Sequence, residues 1–241
     1  MKLKHMYRSW RIAVCICLAS CASPPDIIYS GSVSLPSVYE QPRARDIRTH
    51  DLIRAVPPQG PFQPNANLFA CSVHNTNMPT LTSQHQIVNF SPIIVAFGRV
   101  MAAAPVNDVC LSSGFGPRAG RMHKGIDLYS SRGGTIYSAA PGQILELSAQ
   151  SGFGNQLVLD HGDGVYTRYA HLASFAPDLK VGDIIGFGVA LGTMGRTGNA
   201  TGIHLHFEIL TGDYDTPRHT FGLKAHNPLD FPAWAGLETE P

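Results

Sequence analysis

From about residue 110 onward, apolar and polar positions alternate in short runs separated by glycine. This is the period-two signature of half-buried β-strands, not the 3.6-residue period of amphipathic helices. Asn155-Gln156-Leu157-Val158-Leu159-Asp160 and Val165-Tyr166-Thr167-Arg168-Tyr169-Ala170-His171 flank His161-Gly162-Asp163-Gly164 and predict a hairpin with a glycine-bearing turn. A further strand is predicted over Gly202-Ile203-His204-Leu205-His206-Phe207-Glu208, with His204 and His206 on one face and Leu205 and Phe207 buried on the other. The same count puts His171 on the face of Tyr169. Glycine punctuation continues through Gly114, Gly116, Gly133, Gly142, Gly152, Gly182 and Gly195. The pattern predicts an all-β domain of about 120 residues, long enough for one core.

Upstream the pattern changes twice. Between Leu68 and Ala104 the chain is apolar, and Ser91-Pro92 before Ile93-Ile94-Val95-Ala96-Phe97 fits a helix cap with proline at the first helical position. The β-branched run and Gly98 fit a strand as well, so the element stays open. From Ser23 to Pro64, residues such as Pro24, Pro25, Pro36, Pro42, Pro57 and Pro58 interrupt any apolar period. Such a stretch cannot bury enough surface to offset its ordering entropy and reads as a tether. Some 40 flexible residues span about 35 Å.

At the N-terminus Lys2, Lys4, Arg8 and Arg11 precede the apolar run 12–19. That run is too short for a membrane span, which needs about 20 residues, and reads as an export signal. Leu18-Ala19-Ser20-Cys21 resembles a bacterial lipobox, which implies lipidation of Cys21 as the mature N-terminus; cleavage after Ala22 is the other reading. Ala22 behind the cysteine resembles lipoproteins sent to the outer membrane, so the expected location is exported, periplasmic and lipid-anchored there. The expected organisation is a lipoprotein signal peptide over 1–20, a Pro-rich membrane tether over 21–67, an upstream segment over 68–107, a folded domain over 108–232 and a tail over 233–241.

Charge narrows the partners. The 18 Lys+Arg against 17 Asp+Glu become 14 against 17 once residues 1–20, with four basic and no acidic side chains, are removed. A net charge of about −3 without a basic stripe argues against nucleic acid. Of the five cysteines, Cys15 and Cys17 leave with the signal and Cys21 takes lipid. Cys71 and Cys110 remain, and because an exported compartment permits disulfides a bridge between them is expected.

Candidate chemistry gathers on histidines. His123-Lys124-Gly125-Ile126-Asp127 sets an imidazole and a carboxylate four apart, neighbours on a helix but also on one face of a strand; Gly125 and the Ile126/Leu128 alternation favour a strand or a loop entering one. Together, His123-x-x-x-Asp127, Tyr169-Ala170-His171-Leu172 and His204-Leu205-His206-Phe207-Glu208 resemble the lysostaphin-type (LytM-type) zinc endopeptidases of bacterial cell walls. Ser112-Ser113-Gly114-Phe115-Gly116-Pro117-Arg118, Gly152-Phe153-Gly154-Asn155, Asp160-His161-Gly162, Val181-Gly182-Asp183 and Gly195-Arg196-Thr197-Gly198 resemble that family's framework in the same order. The resemblance covers residues 108–230.

It implies that His123, Asp127 and His206 bind Zn²⁺ while His171 and His204 stay unbound beside it as the catalytic pair. Three ligands leave a tetrahedral zinc with an open position, as a catalytic site requires, where a water's pKa falls to about 7. One histidine then serves as base and the other as oxyanion donor, in an order the sequence leaves open. Glu208 either orients a ligand imidazole or faces solvent at a strand end. His161 reads as framework. The family includes proenzymes whose upstream segment reaches the zinc, a part that Asn75, Asn77 or His74 would take here.

The implied fold is a curved, β-sandwich-like antiparallel sheet, with glycine-rich loops over 112–118, 151–155 and 195–202 walling a zinc groove. The implied function is hydrolysis of peptidoglycan peptide cross-links, by extrapolation at a D,D-bond. The alternative is a LytM-type binding module that regulates or activates cell-wall amidases. A biotinyl-type carrier would need a lysine at a hairpin tip in a Met-Lys-Met-like setting, and none is present.

Overall fold

The computed structural model describes residues 61–72, 75–118, 120–214 and 222–236. The signal peptide, Cys21, most of the tether, His74, His219 and the end of the tail lie outside the described residues. Among the described residues, the regular secondary structure is almost entirely β-strand, joined by turns and loops.

The open element upstream is a hairpin: β1 (Ile93–Ala96) and β2 (Arg99–Ala102) pair antiparallel. Phe97 and Gly98 between them have φ of 51° and 76°. A two-residue turn with both φ positive matches the right-handed twist of the flanking strands. The β-branched run therefore forms a strand, and the Ser91-Pro92 cap signal starts no helix.

A ten-stranded sheet follows. Its main path runs from β11 (Ile184–Ile185) through β8 (Gly142–Gln150), β9 (Gly154–Asp160), β10 (Val165–Phe175), β13 (His204–Thr211) and β6 (Ile126–Tyr129) to β3 (Cys110–Ser113). β12 (Ala190–Met194) pairs the far end of β10 and β7 (Thr135–Tyr137), and β14 (Lys224–His226) extends β13. A separate hairpin of β4 (Gly116–Arg118) and β5 (Arg121–His123) delivers His123. β9 and β10 are the hairpin expected around 161–164.

Alternation decides which face is core. Ile126, Leu128, Leu157, Leu159, Tyr169, Leu205, Phe207 and Ile209 are all fully buried in one cluster, each worth roughly 1.5–3 kcal/mol of burial. Their strand neighbours Asp127, Arg168, His206 and Glu208 turn to the other face. The segment upstream of 108 joins the same core through Phe62, Leu68, Ile87, Ile94, Met101 and Val106. It is pinned to β3 by the Cys71–Cys110 disulfide, by Ala70↔Leu111 and by Thr76↔Ser113. Closing a loop across a separation of 39 residues stabilises by about 4 kcal/mol in the chain-entropy model.

His161 is framework, as read from the sequence: it is fully buried, its Nδ1–H donates to the Pro141 carbonyl at 2.6 Å and its Nε2 faces the Thr167 hydroxyl at 2.8 Å. Burial, assisted by the Arg99 charge, pushes it down to about 4 from 6.5. Between those two values the unfolded chain holds a proton that the folded one refuses, so stability falls as pH drops through that window. We expect a loss of about 3 kcal/mol from this residue between pH 7 and pH 4. Urea unfolding midpoints measured across that range should flatten in His161→Gln; an equally steep slope in that variant sinks the assignment.

Candidate metal centre and active-site cleft

The site is assembled on the outer face where β5, β6 and β13 meet. Cross-strand pairing sets Asp127 directly opposite His206 and Leu128 opposite Leu205. His123 arrives from the end of β5, and the turn through Gly125 brings it back over β6. A Cβ at Gly125 would strike the Phe207 carbonyl oxygen and crowd the His206 ring, so the close approach of this turn to β13 requires glycine. His123, Asp127 and His206 are all buried.

Their donor atoms converge. His206 Nδ1 lies 2.9 Å and His123 Nε2 3.1 Å from Asp127 Oδ1, and the two nitrogens are 3.1 Å apart. All three ligand atoms fall within 4.8 Å of one another. The opposite ring nitrogens are engaged: His123 Nδ1–H donates to the Gly114 carbonyl at 2.7 Å, and His206 Nε2–H donates to Glu208 Oε1 at 3.0 Å. These bonds leave His123 Nε2 and His206 Nδ1 facing the Asp127 carboxylate, where each donates to it when protonated and presents a lone pair when a cation takes the proton's place. Arg118 Nη1 holds the other carboxylate oxygen at 3.3 Å and Ser113 Oγ at 2.7 Å.

Electrostatics points the same way. Burial works against the Asp127 carboxylate, but hydrogen bonds from His123 and His206 outweigh it and hold the group well below the usual range. Burial would also depress His206, yet Asp127 and Glu208 together push it up to about 9. Carboxylates that draw a proton onto His206 draw any other cation to the same place.

His171 and His204 stand beside this centre, with ring centroids 4.7 Å apart. His204 Nδ1–H donates to the Gly202 carbonyl at 3.0 Å, and its Nε2 lies 3.7 Å from Asp127 Oδ1. His171 Nδ1–H donates to the Thr197 carbonyl at 2.8 Å. Burial, then the neighbouring His204, depresses His171 to about 4. Strand alternation had placed His171 on the face of Tyr169; that expectation is corrected. The register of β10 against β9 slips between Tyr169 and Leu172, and His171 has φ of 65°. This bulge inserts one residue and re-aims the side chain, so Tyr169 enters the core while His171 turns to the imidazoles.

All five histidine and aspartate positions line one cleft of about 500 Å³. A second, of about 520 Å³, shares Arg118, Asp127 and His204 and is walled by Asn75, Thr76 and Ile203. Asn77 turns elsewhere: its Nδ2 donates to the Gly114 and Phe115 carbonyls at 3.2 and 2.6 Å.

Residues 121–217 match the family model for peptidase family M23. That segment, residues 121–217, is a peptidase family M23 domain. Over 91 residues, 36% of this chain and 20% of the relative, it is 37% identical to the DD-carboxypeptidase/endopeptidase Mpg of Neisseria meningitidis serogroup B. Over 126 residues, 49% of this chain and 28% of the relative, it is 35% identical to the peptidoglycan DD-endopeptidase ShyB of Vibrio cholerae. The crystallised catalytic domain of lysostaphin from Staphylococcus simulans is 30% identical, with 51% of this chain and 91% of that one covered and a TM-score of 0.44. The chain thus spans less than a third of the length of the two curated relatives.

Within the M23 domain, the reading of Glu208 as a solvent-facing strand end does not hold, because it is buried against His206. Sequence reasoning missed the Gly114 and Thr197 carbonyls, which leave no trace in residue type. It also missed Arg168, whose signal was a lone charge inside an otherwise uncharged strand.

Proposed function

We propose that this protein is a zinc-dependent endopeptidase that cuts peptide cross-links of bacterial peptidoglycan, in particular a D,D-bond. It acts from a lipid anchor at Cys21, on the periplasmic side of the outer membrane, with the Pro-rich stretch as its tether. The observation that carries the reading is that two further imidazoles, His171 and His204, share the cleft of the His123–Asp127–His206 donors. A structural metal site closes its coordination and needs no such pair. The names of Mpg and ShyB, both DD-peptidases, support the substrate class and the bond.

The donor set fits zinc. Ligand bonds of about 2.0–2.1 Å at tetrahedral angles space their donor atoms about 3.3 Å apart, close to the 2.9–3.1 Å separations of this triad. Bound there, zinc supplies an electrophile for the scissile carbonyl and a water of pKa near 7. The rest is done by the chain. His171 and His204 each commit Nδ1–H to a backbone carbonyl, which leaves Nε2 with the lone pair that takes a proton. The imidazole that takes it then donates from the same atom, either to the leaving amine or to the developing oxyanion. Asp127, held by Arg118, keeps its second oxygen out of this exchange.

The test is digestion of purified sacculi by zinc-loaded protein beginning at Ala22, with muropeptides identified by mass spectrometry. Loss of cross-linked dimers, absent with His204→Ala, is the expected result, and the fragment masses identify the bond. Zinc-bound protein that leaves sacculi intact moves the assignment to an amidase-regulating binding module.

A further inference from the structure

Beneath the metal centre, the outer face of the sheet carries a buried charge pair that neither the donor triad nor the catalytic histidines account for. Arg168 on β10 lies directly opposite Glu208 on β13, with Nη1 2.9 Å from Oε2 and both side chains almost fully buried. Beside them the same face packs Val158, Tyr166 and Leu210 together, with Glu146 and Tyr214 also close enough to act on the Arg168 charge. A buried ion pair in such surroundings gains little over apolar side chains of similar size, because desolvating two charges offsets their attraction. Stability alone does not explain the pair; its contacts do.

Glu208 has two oxygens with different partners. Oε2 meets Arg168, and Oε1 accepts the Nε2–H of His206. With the Arg168 guanidinium paired to one oxygen, rotating the carboxylate to move the other away from its imidazole would break that ion pair. Arg168 is in turn fixed from its far side, where its Cζ stands 3.9 Å over the ring of Phe153 in a cation–π contact. Ala170, the residue opposite His206, is small enough to leave the imidazole room.

We infer that Arg168 is a positioning residue: through Glu208 it aims Nδ1 of His206 at the metal. The inference rests on the reading of His206 as a zinc ligand, and its test separates the two. Zinc dissociation constants are measured by chelator competition on full-length metal-free protein, with circular dichroism as a fold control, for the wild type, Arg168→Lys, Glu208→Gln and the double variant. Lysine keeps the charge but loses the planar grip. We expect Arg168→Lys to weaken zinc roughly 10–100-fold, the usual cost of losing a group that orients a ligand, and to change affinity less than about twofold when Glu208→Gln is already present. Wild type that takes up no zinc sinks the metal reading itself. Wild type that binds zinc while folded Arg168→Lys binds equally well overturns the positioning role alone. Should Arg168→Lys not fold, Arg168→Gln combined with Glu208→Gln removes both charges together. Affinity equal to that of Glu208→Gln alone then supports the inference, and weaker affinity overturns it.

Discussion

Asp127→Ala is expected to abolish both zinc uptake and sacculus hydrolysis. Its Oδ1 lies within 3.1 Å of both imidazole nitrogens of the triad, and its carboxylate is the negative charge among the three donors. Alanine leaves two neutral nitrogens, too few to hold a divalent ion against water. Without a metal to lower its pKa, water is a far poorer nucleophile at neutral pH, so turnover should fall by roughly 10⁴-fold or more. Metal analysis of the purified variant and muropeptide release measured side by side check this. A variant lacking zinc that still cleaves at a wild-type rate would falsify the metal assignment.

His171→Ala and His204→Ala should each cut kcat by roughly 10²–10⁴-fold while zinc stays bound. Neither residue supplies a donor to the triad, so metal content is the control that separates them from Asp127. The two should not be additive, because both imidazoles serve the same proton transfers in one cleft and residues that act as a unit lose their effect together. Near-wild-type turnover in either zinc-loaded variant removes that residue from the mechanism.

The disulfide shows how far pattern reading reached upstream. Cys71 and Cys110 were paired on compartment and elimination, and the structure joins them. That the joined segment then walls a cleft with Asn75 and Thr76 depends on parallel bridges to β3, which no local pattern announces. Asn77 is similar: an amide beside a glycine-rich loop is unremarkable until its Nδ2 is seen to hold the Gly114 carbonyl that also orients His123.

The amino-acid order by itself determined what depends on a few consecutive residues. Period-two alternation put His204 and His206 on one face with Leu205 and Phe207 against the core, because adjacent side chains on a strand must point oppositely. Gly125 and the Ile126/Leu128 alternation pointed to a strand or a loop entering one, while the close pass against β13 that requires glycine there comes from the fold. Tertiary structure decided what depends on register between distant segments. Alternation sent His171 toward the core, and only pairing of β10 with its neighbours creates the slip and left-handed backbone that return it to the cleft. Arg168 and Glu208 are 40 positions apart, and their meeting beneath His206 is set by which residues of β10 and β13 face each other. Alternation is a property of one strand; a bulge and a cross-strand pair are properties of two.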